Sequence, residues 1–294
     1  MTVVLKNNQL NVKINEKGAE IVSVTNKELL EYIWDADPRH WKRHAPILFP
    51  IVGRLQNDEY NYEGTIYKMY QHGFARDSEF EVVEHTNTKV VFLLQPNDEI
   101  KLHYPFKFKL YVTYILNGND LSVDMLVKNE DRHSMYFSIG AHPGFRIPLS
   151  PEKESFNDYS VTIIPDHQYS LISLDKDGLT TTNVHNKSGL TDPLPISHHL
   201  FSEDAKIFDV SENKKTTFKI SSKKGKHGVA VTAYNNQYFG LWSTYPQESD
   251  FVCVEPWWGI ADSESSTGFI KDKKDISRLR CGEDFYAKFT IKFF

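Results

Sequence analysis

The sequence is short of cysteine and arginine and has no long apolar run. Cys253 and Cys281 are its only cysteines, too few for a disulfide framework or a cysteine-rich zinc site. They read as two unpaired thiols in a reducing compartment, although spacing alone leaves one bridge between them open. No stretch approaches the ~18 to 20 apolar residues of a membrane-spanning helix. The start, Met1 to Lys6, lacks a basic region followed by an apolar segment, so no secretory signal is read. A cytoplasmic protein with no membrane partner is expected. Lys and Arg total 34 against 39 Asp and Glu, a formal charge of −5. That balance does not supply the clustered basic face of a nucleic-acid binder. Gly-x-Gly-x-x-Gly, the Walker loop, the Gly-x-Ser-x-Gly elbow and His-Glu-x-x-His are all absent. Neither a metal nor an organic cofactor is expected. The adjacent His198 and His199 would point to opposite faces of an extended chain and read as a solvated loop.

What the chain has in quantity is aromatic residues: 19 Phe, 15 Tyr and 5 Trp. Aromatic and β-branched side chains favour pleated surfaces. The dominant period is two. Phe285, Ala287, Phe289, Ile291 and Phe293 alternate with polar residues, as do Phe108, Leu110, Val112, Tyr114 and Leu116. After Asn117-Gly118-Asn119-Asp120 the alternation resumes at Leu121, Val123, Met125 and Val127, which predicts a hairpin. Three further hairpins are predicted, around Glu63-Gly64, Asn87 and Lys223-Lys224-Gly225-Lys226. Helix is expected only as short pieces over 38–45 and 275–278. Segment 150–213 is richer in Pro, Ser, Asp and Asn, and reads as long loops and short strands within the same unit. The fold class predicted is all-β, a large antiparallel β-sandwich or barrel, with residues 1–294 forming one domain.

Four segments carry chemistry. In Phe49-Pro-Ile-Val-Gly-Arg54 an Arg leaves an apolar run through a glycine, and its donor fork suits hydroxyls, carboxylates or phosphate. In Gln71-His72-Gly73-Phe74-Ala75-Arg76 a His sits beside a glycine that lets backbone approach a ligand. In Ser138-Ile-Gly-Ala-His142-Pro143-Gly144-Phe145 a strand delivers a His to a forced turn. His is the side chain best suited to proton transfer near neutral pH. In Phe251-Val-Cys-Val-Glu255-Pro256-Trp257-Trp258-Gly259 a carboxylate ends an apolar strand beside aromatics that would desolvate it and raise its pKa. The Trp pair suits either sugar C–H faces or ordinary core packing.

Gly-Arg54, His72-Gly, His142-Pro and Glu255-Pro, in this order on an all-β chain, resemble the aldose 1-epimerase (galactose mutarotase) superfamily, in particular its LacX-type mutarotase-related branch. The resemblance covers essentially the whole chain. It implies the large β-sandwich called a supersandwich, with a sugar cleft on a concave face. It implies Glu255 as the base on the anomeric O1 hydroxyl, His142 as the acid at ring oxygen O5, His72 as a second ring-facing His, and Arg54 as a hydroxyl binder. Asp204 matches a sugar-binding Asp, with Asp209 as the alternative. Arg76 and Trp257 complete the expected substrate contacts. Pro-Gly-Phe after His142, where the galactose enzymes have Pro-Tyr-Phe, and Gly-Phe-Ala-Arg after His72, where they have a glycine pair, alter the cleft wall. The expected activity is α/β anomer interconversion of a hexose. The alternatives are a hexose 6-phosphate substrate held by Arg54 and Arg76, or a non-catalytic carbohydrate-binding sandwich. The expected partner is a small sugar, and the assembly a monomer or homodimer.

Overall fold

Wherever apolar and polar residues alternate, the chain extends and pairs, and the pairs assemble into two large antiparallel sheets. The structure, a computed structural model, describes residues 1–185 and 193–294. The first large sheet has nine strands. Across it run Leu194–Pro195, Tyr159–Ile164, Lys215–Ser222, Gly228–Tyr234, Asp284–Phe293, Asp120–Asn129, Phe108–Asn117, Lys89–Leu94 and Glu81–His85. The second has eight: Thr180–His185, Ser170–Leu174, Lys206–Asp209, Tyr238–Trp242, Phe251–Trp258, Ile139–Ala141 and Ile47–Leu48 in order, with Gly144–Arg146 also beside Phe251–Trp258. A three-stranded sheet near the N-terminus and two short ribbons complete the strand set among the described residues.

The sheets pack face to face into a sandwich. Phe218, Val231 and Phe289 from the first meet Phe208, Phe239 and Val254 from the second in one buried cluster. The rings of Phe218 and Phe239 stack 4.4 Å apart. Alternation dictates this burial. In Asp284–Phe293, Ala287, Phe289, Ile291 and Phe293 are buried while Lys288 and Lys292 are exposed, because successive side chains of a strand point to opposite faces. All four expected hairpins form, with registers such as Leu121 opposite Leu116 and Val229 opposite Ile220.

The helical pieces differ from those the sequence predicts. Segment 38–45 contains turns and no helix. The preceding Asp37 caps a single turn, its carboxylate accepting from the Arg39 N–H at 3.0 Å and its carbonyl from the Trp41 N–H at 3.0 Å, and the turn does not propagate. Residues 277–279 form a strand paired with Met135–Phe137 instead of the expected turn of helix. The one α-helix among the described residues, Asp98–His103, was not anticipated. It has one and a half turns, too short for a periodic stripe, but Asn97 caps it by accepting from the Ile100 N–H at 2.8 Å. His198 begins a 3-10 turn, not an extended loop, and its ring stacks on Phe156 at 3.8 Å. Segment 150–213 is threaded into both sheets as short strands; its positions 186–192 lie outside the described residues. Cys253 is buried and Cys281 exposed, and the two are unpaired. No helix among the described residues is long and apolar enough to cross a membrane.

Two neighbouring substitutions test the facing of the central strand. Ile291→Ala, at a fully buried position, is expected to lower unfolding stability by about 2–5 kcal/mol. Lys292→Ala, at an exposed position, should stay within about 0.5 kcal/mol. Urea denaturation of the two variants reads both, and equal losses would contradict the facing.

Candidate active site

Strand Phe251–Trp258 is buried along its whole length, so both of its faces do something. Val252, Val254 and Trp258 enter the sandwich core. Phe251, Cys253, Glu255 and Trp257 point to the opposite face, where Glu255 and Trp257 line a cavity of about 310 Å³. That volume is at the lower end of small-ligand sites, about 300–1,000 Å³.

His142 reaches Glu255 because the ladder beside that strand is interrupted. Gly140 pairs with Trp257 and Gly144 with Cys253. Between them Pro143 has no N–H to give, and only its carbonyl is used, accepting from the Val254 N–H at 3.1 Å. The break turns the imidazole towards the strand's cavity face, where Nε2 lies 3.1 Å from Glu255 Oε2. Trp41 stacks on the His142 ring at 4.8 Å, Trp242 meets it edge-on at 5.6 Å, and His72 stands perpendicular at 5.6 Å. The indole of Trp257 lies flat because glycines flank it. A Cβ at Gly140 or at Gly240 would sit 2.9 Å from its ring atoms.

Burial governs the electrostatics. It pushes the Glu255 carboxyl well above its ordinary range, and the nearby Asp204 carboxylate adds to the effect. Burial likewise pulls His142 down to about 3, helped by the charges of Arg76 and Arg43. His72 is also held neutral, by burial first and then by His142 and the arginines. Its Nδ1 accepts from the Gly53 N–H at 3.1 Å, so the proton of the neutral ring sits on Nε2.

The cavity collects His72, His142, Glu255, Arg76, Asp204 and Trp257 from segments far apart in sequence. Arg76 does not share an extended face with His72. It lies in a 3-10 turn, Ala75–Asp77, and turns back to donate from Nη2 to the Gln71 carbonyl at 2.6 Å. Its Nε is buried without a hydrogen bond, 3.7 Å from the Asp77 carboxylate, and burial and Arg43 lower its pKa to about 10. Asp204, in a left-handed conformation (φ 66°), reaches the cavity. Asp209 does not: it pairs with Tyr238 in the sheet and its carboxylate accepts from Ser211. Arg54 is not itself a lining residue; its side chain lies against Gly178, which lines the cavity together with Gly53, and its guanidinium is half-exposed, 3.8 Å from Asp58. Of the Trp pair, Trp257 faces the cavity while Trp258 is core and donates to the Tyr234 carbonyl at 3.3 Å.

Trp41, Trp242 and Gln71 line the cavity and were not read from the sequence. Trp41 lies in the irregular 38–45 segment, where no period or motif marks it. Donor atoms of His142, Cys253 and Glu255 lie within 4.8 Å of one another. Ligands around tetrahedral zinc stand about 3.5 Å apart, and burial holds the Cys253 thiol protonated. The trio would have to contract and lose that proton to take a metal ion.

Comparison with known proteins agrees with this architecture. The family model described as aldose 1-epimerase matches residues 1–265. The curated plasmid-encoded protein LacX of Lactococcus lactis subsp. lactis is 35% identical over 292 residues, covering 95% of each chain. A solved galactose mutarotase related enzyme from Lactobacillus acidophilus superimposes with a TM-score of 0.96 at 38% identity, covering 100% of this chain and 97% of that one. A galactose mutarotase-like protein from Lactobacillus casei gives 0.92 at 30% identity, with both chains covered in full. With its sandwich fold, and with a match over most of its length, the chain belongs to the aldose 1-epimerase family.

Proposed function

We propose that the protein interconverts the α and β anomers of a hexose by acid–base opening of the ring. The observation that carries this reading is the contact between His142 and Glu255, 3.1 Å apart and buried on the wall of a sugar-sized cavity. Glu255 as carboxylate takes the O1 proton, C1=O1 forms, the C1–O5 bond breaks, and O5 takes a proton from His142 as imidazolium. Rotation about C1–C2 and the reverse proton transfers close the other anomer. No electron acceptor or metal enters the balance.

The proton inventory fits. Carboxylate plus imidazolium holds the same number of protons as carboxylic acid plus neutral imidazole. Burial favours the second arrangement, raising Glu255 and lowering His142. Ring opening produces that arrangement, so desolvation of the pair favours the open-chain intermediate. His72 presents an Nε2 proton that can hydrogen-bond a ring oxygen, and Trp257 and Trp41 offer flat apolar faces to sugar C–H groups.

A second reading, a phosphorylated hexose, is favoured by Arg76, whose buried Nε has no hydrogen bond and only a 3.7 Å ion contact with Asp77, and whose neighbour Arg43 adds charge. A phosphate dianion would satisfy that donor through charge-assisted bonds. Polarimetry on glucose, galactose and their 6-phosphates separates the readings. A phosphate preference that Arg76→Ala abolishes selects the second. Equal rates on free and phosphorylated sugars, unaffected by Arg76→Ala, dismiss it.

Three outcomes are expected of the acid–base pair. Glu255→Gln should cut kcat/KM for anomer interconversion by about 10²- to 10⁴-fold with the circular dichroism spectrum retained; full activity would falsify the assignment. The acid limb of the kcat/KM profile should lie near 3, where the buried pair takes up a second proton and Glu255 has no lone carboxylate left to act as base; an acid limb near 4.5 with an alkaline limb near 6.5 would mean a solvated pair. Stability should move oppositely to activity. The folded chain keeps the Glu255 proton that the unfolded chain releases above about 4.5, so this burial costs more as pH rises from 4.5 towards the raised value. Glu255→Gln should therefore melt higher than the unaltered protein at pH 8 and show little difference at pH 4; thermal melts at the two values check the sign.

A further inference from the structure

Behind the cavity wall lies a buried ion pair that the chemistry above does not use. Lys273 and Asp262 have side chains only 2% and 5% exposed, with Nζ 3.1 Å from Oδ1. The ammonium also donates to the Ile260 carbonyl. A buried pair of this kind is weak evidence for stability, because desolvation of both charges offsets their attraction. What distinguishes this one is what Asp262 holds with its remaining atoms.

Asp262 fastens two segments of the wall to its own. Its Oδ2 accepts from the Gln56 N–H at 3.1 Å, and its own N–H donates to the Arg54 carbonyl at 2.8 Å. Its carbonyl accepts from the Thr180 N–H at 2.7 Å and from the Thr180 hydroxyl at 3.2 Å. The turn at residues 53–56 is thereby held at two points, the Arg54 carbonyl and the Gln56 N–H. Gly53, with φ +72°, fits into this grip only because it has no side chain: a Cβ would lie 2.5 Å from that of Ala261, the residue before Asp262. Gly53 in turn holds His72 twice. Its N–H donates to Nδ1 at 3.1 Å, and its carbonyl accepts from the His72 N–H at 2.8 Å. His72 itself stands in a left-handed conformation (φ 66°), which a residue with a side chain keeps only where its surroundings impose it.

We propose that the Asp262–Lys273 pair is a positioning device for His72: it clamps the 53–56 turn so that the Gly53 N–H pins His72 Nδ1 and leaves the ring proton on Nε2, facing the sugar. Lys273 neutralises and aims the Asp262 carboxylate, Asp262 fixes the turn, and the turn selects the tautomer. Neither charged residue lines the cavity, so both act through Gly53. The link to catalysis rests on the reading of His72 as a sugar-facing group; the link to the tautomer does not.

The test is Asp262→Asn, whose amide can still face Lys273 and, so oriented, turns its NH₂ towards the Gln56 N–H. Nitrogen-15 spectra of the ring, with His72 assigned by comparison with His72→Gln, should show Nε2 protonated and Nδ1 bare in the unaltered protein. In Asp262→Asn the two shifts should move towards each other, and kcat/KM should fall by about 10²-fold. A folded Asp262→Asn with the His72 tautomer unchanged overturns the proposal, whatever the activity. A changed tautomer with full activity upholds the clamp and instead removes His72 from the chemistry. If the variant does not fold, amide exchange of the unaltered protein decides: Gly53 and Gln56 should open together as one protected unit, and rapid independent exchange of the two overturns the clamp.

Discussion

The site depends on keeping a carboxyl group out of water. Glu255 lies on a strand buried on both faces, with a neutral imidazole against it and a second carboxylate, Asp204, nearby. In solvent its proton would leave near 4.5 and the imidazole would take one near 6.5. Burial favours the uncharged arrangement of the two, carboxylic acid beside neutral imidazole, although they stand only 3.1 Å apart. A solvated pair would be locked as ions; a pair with one partner missing would leave a buried charge or an inert acid.

The rest of the architecture maintains that exclusion. The sandwich core fixes strand 251–258 from behind through Val252, Val254 and Trp258. Trp41, Trp242 and His72 enclose His142 from the front. Trp41 is itself held by its carbonyl, which accepts from the Trp34 indole N–H at 2.8 Å. Besides the acid–base pair and His72, the polar side chains on the wall are few: Gln71, Arg76 and Asp204. The cavity thus combines aromatic walls, suited to a sugar's C–H faces, with a few directional groups that fix its orientation.

The Asp262–Lys273 pair extends this logic one layer outwards. Hydrogen bonds from one buried carboxylate and its backbone reach the 53–56 turn and Thr180. Such a hub makes the wall one mechanical piece, so the tautomer of His72 is decided by residues that never meet the ligand.

Much of this was legible in the sequence. Alternation at 108–116, 121–127 and 285–293 marked strands and their buried faces, because a period of two needs no knowledge of partners. Turn chemistry at Asn117-Gly118 and the corner at His142-Pro143 were likewise local. His72, His142 and Glu255 stood out because His-Gly, His-Pro and Glu-Pro are unusual local pairs, although only His142 follows a strand end; His72 lies in a turn and Glu255 within strand Phe251–Trp258. The directions in which Arg54 and Arg76 point, the choice of Asp204 over Asp209, and the roles of Trp41, Trp242 and Asp262 were not legible. Each depends on which distant segment lies opposite, and no local period or propensity encodes that. Sequence alone determined that the chain would alternate, pair and enclose aromatic residues, since those are properties of neighbours along the backbone. Only the tertiary structure decided which of its charged and aromatic groups share one dry hollow, because burial and pKa are set by contacts between residues up to two hundred positions apart.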